Sequence, residues 1–363
     1  MTELLLVGAG HAHLYVVTHA ESLIAAGYRV RLLAPRYFHY SGVASATAAG
    51  TLPPDAGRLD VRALAEAAGV TFHEDLLTGL DLDQRTARTA GGAEIAYDVL
   101  SINIGSVAAT SGLTIDPAVL RVKPLSELAG LDGRLGSAAL AANGATVTVV
   151  GGGSTGLELA AHLAVHPHVT TVRLVESGPR VGADLPRGAR RRMQRLLDAR
   201  GIDVRTGRLV AHVGERDLRF ADDTKLGHDV ALLATGLVAP PLVAELGLGD
   251  ERGVPVRATL QHVDRDEIYA AGDCAHFLPR PLPRVGVHGV RQGPVLHRSL
   301  LARLRTEPLP TYEPQRRALA ILDLGAGVGL AVRGRWWWYG TLALRLKRLV
   351  DRRWLVRYRP DGQ

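Results

Sequence analysis

The stretch from Val147 to Glu176, VTVVGGGSTGLELAAHLAVHPHVTTVRLVE, limits what this chain can fold into more than any other. It opens on a β-branched run and turns through Gly151, Gly153 and Gly156 at G-x-G-x-x-G spacing. An Ala/Leu-rich helical segment follows, then a second apolar strand ending in Glu176. That order makes one complete βαβ unit of the dinucleotide-binding kind. The first glycine permits the tight turn, the second lets backbone N–H groups approach a pyrophosphate, and the third lets the helix pack close to the strand. The anion would sit at the helix N-terminus, where unpaired N–H groups and the dipole favour it. Glu176 is placed to accept both hydroxyl hydrogens of an adenosine ribose and to repel a 2′-phosphate.

With 363 residues the chain has room for roughly two domains and an appendage. An apolar fraction of 47% beside 22% charged residues is ordinary globular composition, and the net charge of +7 is moderate. The single cysteine, Cys274, excludes an internal disulfide or a redox-active pair and fits a reducing, cytoplasmic setting. Met1-Thr2-Glu3 lacks a basic leader, and Leu4 to Val7 reads as a strand rather than a signal peptide. No run approaches the length of a membrane span. The basic residues are not interleaved in any nucleic-acid-binding module.

The N-terminus repeats the central unit in altered form. Leu4 to Val7 is a strand, Gly8-Ala9-Gly10-His11-Ala12-His13 the phosphate turn, residues to about Ala26 a helix, and Tyr28 to Leu33 the returning strand. His13 replaces the third glycine, so this helix cannot pack as tightly without adjustment, and Ala34 stands where Glu176 stands in the other copy. His11, His13 and His39 form no metal site on this reading, since no carboxylate or cysteine completes a ligand set. From Phe38, FHYSGVASATAAGTLPPDAG reads as a long loop crossing a cofactor. A helix from about Val61 to Ala68 and a short strand from Val70 follow.

Two later strands again match. Asp98 precedes Gly105 by seven residues, and Asp229 precedes Gly236 by seven. The chain is therefore read as two related nucleotide-binding modules, one inserted in the other. The expected division is residues 1–115 and 251–312 for the outer module, 116–250 for the inserted one and 313–363 for an α+β appendage. A strand from Ile268 to Ala271 should deliver Gly272-Asp273 to the start of a helix. There Asp273 could hold a polyol hydroxyl while N–H groups face a pyrophosphate, or it could be a plain N-cap.

Together VGAGHAH at Val7, YSG at Tyr40, YDVLSINIGS at Tyr97, VKP at Val122, VGGGSTGLE at Val150, LLATG at Leu232, YAAGD at Tyr269 and GVRQGP at Gly289 resemble the two-dinucleotide-binding flavoproteins. Within that superfamily the resemblance is to type II NADH:quinone dehydrogenases and their NADH-dehydrogenase-like relatives, and it covers nearly the whole chain. It implies an α/β fold of two Rossmann-like domains, the NAD domain inserted in the FAD domain. FAD would lie on Gly8, Gly10, His11, Ser106 and Asp273, and NADH on Gly151, Gly153, Gly156, Glu176 and Gly236. The implied activity is an FAD-dependent NADH dehydrogenase passing electrons to a quinone. Glu158, in the first turn of the nucleotide helix, would lie near flavin and nicotinamide, or would merely complement the helix dipole. His288, Arg291 and Gln292 resemble a quinone-lining helix, and read equally as a packed helix face. The disulfide and sulfide:quinone reductases of the superfamily need cysteines that this chain lacks.

All four tryptophans fall in the last 28 residues. Arg317 to Leu324 and Gly327 to Val332 read as a strand pair, followed by Trp336-Trp337-Trp338-Tyr339 and a helix from Leu342 to Trp354. Leu342, Leu346, Leu349, Val350 and Trp354 share one helical face beside a stripe of Arg345, Arg348 and Arg352. Such a helix either lies on the inner membrane surface or packs on the flavin domain or across a homodimer. Two other readings stand beside the quinone reductase: a soluble reductase of a protein electron carrier, and a low-turnover NADH-responsive binding protein.

Overall fold

The computed structural model describes residues 1–359. Strand Thr2–Val7 lies at the centre of a five-stranded parallel sheet. Tyr28–Leu33 and Thr71–His73 flank it on one side, Val99–Ile102 and Ile268–Ala270 on the other. A second five-stranded parallel sheet is built in the same order around Ala145–Val150. Here Val169–Val175 and Asp203–Arg205 lie on one side, Val230–Leu233 and Leu120–Arg121 on the other. The chain completes the second sheet before Ile268–Ala270 rejoins the first, so one module is inserted in the other. The central strand of the first sheet is a continuous apolar run, and its Leu4, Leu5 and Leu6 are all fully buried.

Each module also carries a three-stranded antiparallel meander that sequence reading missed. Leu77–Asp81, Thr86–Thr89 and Glu94–Ala96 form the first; Val210–Val213, Asp217–Phe220 and Lys225–Gly227 form the second. These strands are short and half exposed, so DLDQRTARTAGGAEIA offers little alternation to read.

Two expectations are corrected. The presumed loop after Phe38 contains structure: Tyr37–His39 pairs with Arg58–Asp60, and the alanine-rich run between them forms the helix Ala44–Ala48. The turn at Asp273 opens no long helix. Gly272–Cys274 is a single 3-10 turn, and Ala275–Phe277 then runs extended to pair with Val254–Val256. Prolines at 279, 281 and 283 hold off the helix until Gly286–Leu304.

The glycine turns explain how each nucleotide helix meets its strand. A Cβ on Gly156 would lie 1.9 Å from the Gly151 carbonyl oxygen, so only glycine lets helix Ser154–Leu163 sit so close. In the first module the matching side chain, His13, is fully buried, and the gap it opens is closed by polar contacts. Its Nδ1 lies 2.6 Å from the Gly8 carbonyl oxygen and its Nε2 2.8 Å from Ser101 Oγ. Burial lowers the His13 pKa to about 4, so the ring is neutral.

The C-terminal strands Leu319–Asp323, Gly329–Arg333 and Trp336–Gly340 form an antiparallel sheet, followed by helix Thr341–Val356. Leu322, Leu324 and Leu330 join the core of the second module. Arg200 fastens the sheet there, donating to the Ala161 carbonyl at 2.8 Å and to the Leu324 carbonyl. Trp337 lies over Gly188 and Tyr339 under Arg192, both on helix Arg187–Ala199. Strand alternation sends Trp336 and Trp338 to the other face.

Gly156→Ala should lower stability by about 1 to 3 kcal/mol through overpacking. Gly153→Ala, where an added Cβ meets nothing within 4 Å, should leave the melting temperature nearly unchanged. Thermal unfolding followed by circular dichroism checks the contrast, and equal destabilisation of the two variants would refute it.

Candidate active site

The second glycine turn opens on a cleft of about 990 Å³ lined by Gly151, Gly153, Ser154, Glu176, Arg208, Gly236 and Arg284, among others. An added Cβ at Gly153 or Gly236 would meet no protein atom within 4 Å, as a surface approached by a ligand backbone requires. Glu176 is oriented by two backbone donors: Gly152 N–H gives to Oε2 at 2.7 Å and Gly178 N–H to Oε1 at 2.6 Å. Ser177 Oγ also donates to Oε1 at 3.3 Å, and Oε2 keeps a further acceptor site for a ribose hydroxyl. Gly151, Gly153, Gly156, Glu176 and Gly236 are thus gathered around one cleft or packed directly behind it.

At the first turn the organising side chain is Asn103, which sequence reading passed over. It is buried, its Oδ1 accepting from Ala12 N–H at 3.1 Å and His13 N–H at 3.2 Å, and its Nδ2 donating to the Ala271 carbonyl at 2.6 Å. Added Cβ atoms on Gly8 and Gly10 would strike Asn103 at 2.6 and 2.4 Å, so these glycines make room for it. The signal was a lone amide inside the apolar run LSINIG. Ser106 donates to Asp273 Oδ2 at 2.8 Å, bringing two expected residues together while the second carboxylate oxygen can still accept. Gly105 beside them faces open space at a positive φ of 77°. Lys123 is also near: Asp273 favours its charged form, but burial outweighs that and lowers its pKa. A desolvated ammonium and a free carboxylate oxygen beside an open glycine suit the polar, anionic middle of FAD.

His11 contributes packing rather than charge. Its ring lies 5.2 Å from Phe38 and 5.0 Å from Trp354, and burial, helped by Lys123, lowers its pKa to about 3. Cys274 is fully buried, and burial lifts its thiol to about 11, so it is no thiolate nucleophile.

Glu158 has a role that its sequence position did not reveal. It is half-buried, and its Oε1 accepts from the Asp323 N–H of the C-terminal sheet at 2.7 Å. Burial raises its pKa from 4.5 to about 7, while the nearby Lys347 pulls the other way. Lys347 comes from the C-terminal helix, buried, bonded to the Gly42 carbonyl and 3.0 Å from Asp351 Oδ2. Asp351 Oδ1 accepts from Tyr40 OH at 3.0 Å, and Tyr40 stacks on Trp354 at 4.4 Å. The inner face of that helix therefore grips Tyr40-Ser41-Gly42, and sequence reading, which weighed only the helix's apolar and arginine stripes, missed Lys347 and Asp351. Trp354, grouped with Leu342, Leu349 and Val350 on one apolar face, is buried while those three are exposed.

Helix Gly286–Leu304 buries His288 and Gln292 and leaves Arg291 exposed. Gln292 is buried and its Oε1 accepts from Gly272 N–H at 2.6 Å, fixing the turn that carries Asp273. His288 Nδ1 lies 2.8 Å from Tyr312 OH, and burial lowers its pKa. Arg291 is exposed.

Residues 2–293 match the family described as pyridine nucleotide-disulphide oxidoreductase. An NADH dehydrogenase-like protein of Mycobacterium tuberculosis is 28% identical over 303 residues, 76% of this chain and 73% of that protein. A demethylphylloquinone reductase of Synechocystis is 28% identical over 310 residues, 80% of this chain and 75% of that one. Among solved structures, the sulfide:quinone oxidoreductase of Aquifex aeolicus shares the fold with a TM-score of 0.83 at 17% identity, over 99% of this chain and 92% of that one.

Two measurements probe the site. Asp273→Ala should weaken FAD retention by about 1.5 to 3 kcal/mol, the cost of a lost charge-assisted bond. Flavin absorbance after dilution and gel filtration reads this, and full retention would remove Asp273 from the site. Because the folded-state pKa of Glu158 lies above 4.5, its stabilising neutral form is lost as pH rises toward about 7. The melting temperature of Glu158→Gln should therefore gain on wild type between pH 5 and 8, and parallel curves would contradict the raised value.

Proposed function

Starting from a chain that belongs to the pyridine nucleotide-disulphide oxidoreductase family and binds FAD and NAD(H), we propose that it oxidises NADH and delivers the electrons to a quinone at a membrane surface. The observation that carries this reading is the two-sided C-terminal helix. Its inner face closes on the site through Lys347, Asp351 and Trp354. Its outer face presents Leu342, Leu349, Val350 and Val356, each at least 46% exposed, with Arg345, Arg348, Arg352 and Arg353 around them. Trp336, on the strand that precedes the helix, is 78% exposed. Exposed aliphatic and tryptophan side chains beside arginines that make no ion pair among the described residues suit an anionic lipid interface. No helix among the described residues is long and apolar enough to cross a membrane.

FAD, when bound, accepts a hydride and releases electrons singly or as a pair. The protein's own share is binding, orientation and proton supply. The Gly151–Gly156 turn and the N-terminus of helix Ser154–Leu163 take the pyrophosphate of NADH, and Glu176 takes its adenosine ribose. Ser106, Asp273 and Lys123 hold the flavin cofactor's polar middle. Glu158, with a pKa near 7, holds an exchangeable proton that quinone reduction needs. The lone, buried Cys274 leaves no dithiol to relay electrons. The Synechocystis relative, a quinone reductase by name, supports the choice of acceptor.

The test is anaerobic reoxidation of the NADH-reduced protein by a soluble quinone, combined with co-sedimentation on anionic liposomes. Truncation at Arg333 would remove Trp354 from the core, so the outer face is better changed alone, as Leu349→Glu with Val350→Glu. Rapid reoxidation is expected in both proteins, and liposome binding in the wild type only. Slow reoxidation by quinone but fast reoxidation by a protein carrier would overturn the quinone reading. A wild type that stays in the supernatant at low salt would overturn the membrane one.

A further inference from the structure

The two modules are joined by a two-stranded antiparallel ribbon, Val107–Ala108 against Leu237–Val238, where the chain leaves the first module and returns from the second. Beside it stands Arg284, partly buried and lining the nucleotide cleft. Its guanidinium donates through Nη1 to the Leu237 carbonyl of the ribbon at 3.2 Å and through Nε to the Asp273 carbonyl at 3.0 Å. Nη2 donates to the Arg252 carbonyl at 2.7 Å. Among the described residues no carboxylate lies within ion-pairing distance, so the fork is committed to backbone oxygens of three separate segments. One of these carries the aspartate of the FAD site, and another follows Gly236 of the nucleotide cleft.

We propose that Arg284 is a positioning residue that fixes the register between the two modules, holding the crossover ribbon against the Asp273 turn so that nicotinamide and flavin meet at one separation. The proposal rests on the NADH-to-FAD reading above. Its physical basis is the rigid planar fork, since a lysine ammonium carries the same charge but cannot span three carbonyls in fixed directions. Hydride transfer is steeply sensitive to placement, about a hundredfold for an ångström of error. A loosened ribbon would therefore slow the transfer while leaving each nucleotide's own contacts in place.

The experiment compares wild type, Arg284→Lys and Arg284→Met, each loaded with FAD. Anaerobic stopped-flow reduction by NADH should show a limiting rate lower by about ten- to a hundredfold in both variants. The NADH Kd from the same titration and the rate of reduction by dithionite should change little. Amide hydrogen exchange, read with and without FAD, should rise in both variants at residues 107–108, 237–238 and 272–274 together. A wild-type rate in Arg284→Lys would overturn the proposal, because charge alone would then suffice. Loss of FAD from both variants, or unchanged exchange in the ribbon, would overturn it too, leaving Arg284 as support for one site only. If NADH fails to reduce the wild-type flavin, the functional reading itself falls, an outcome distinct from a clamp that fails in a working enzyme.

Discussion

The approach of Gly156 to the Gly151 carbonyl is the constraint on which the rest of the nucleotide module depends. With no side chain between them, helix Ser154–Leu163 presses its N-terminus toward the strand end, and the N–H groups there converge on the cleft. The same helix then buries Leu157, Leu159, Ala160, Ala161 and Leu163 in the core. It also carries Glu158 to the C-terminal sheet. One short contact thus sets the anion site, the packing and the position of a half-buried acid.

The first module solves the same problem with different chemistry. His13 cannot make the close approach, so its ring fills the space as a neutral hydrogen-bonding strut between Gly8 and Ser101. Asn103 then satisfies two of the helix's terminal N–H groups from the neighbouring strand, which solvent cannot reach. The cost of burying these polar groups is offset because each finds a partner. Glycine at both remaining turn positions is needed for Asn103 to fit.

Long-period patterns made most of this architecture legible in the sequence. The βαβ units, their insertion and the gathering of Gly151, Gly153, Glu176 and Gly236 follow from apolar runs and glycine spacing that tertiary packing does not override. The meanders were hidden because short, half-exposed strands lack a strong period of two. Asp273 was misplaced on a helix because the proline run beyond it outweighs the capping signal. The pairing of Lys347 with Gly42 and Asp351 was invisible for another reason. A lysine and an aspartate four residues apart on a basic helix look like an ordinary solvated pair, and only the fold of the distant Tyr40 turn buries them.

That buried pair bears on how the appendage works. Two charges with only 10% side-chain exposure are costly to desolvate, and the Lys347–Asp351 attraction alone repays this poorly. Their further bonds to the Gly42 carbonyl and Tyr40 OH complete the set, so the favourable arrangement exists only while the helix is seated on the turn. Unseating it would leave an ammonium and a carboxylate unpaired, open the Tyr40–Trp354 stack and remove from Glu158 the positive charge that restrains its pKa. The outer face of the same helix carries the exposed leucines and arginines. The C-terminal helix is thus held on the Tyr40–Gly42 turn by its inner face, and that packing leaves its apolar and basic outer side chains exposed.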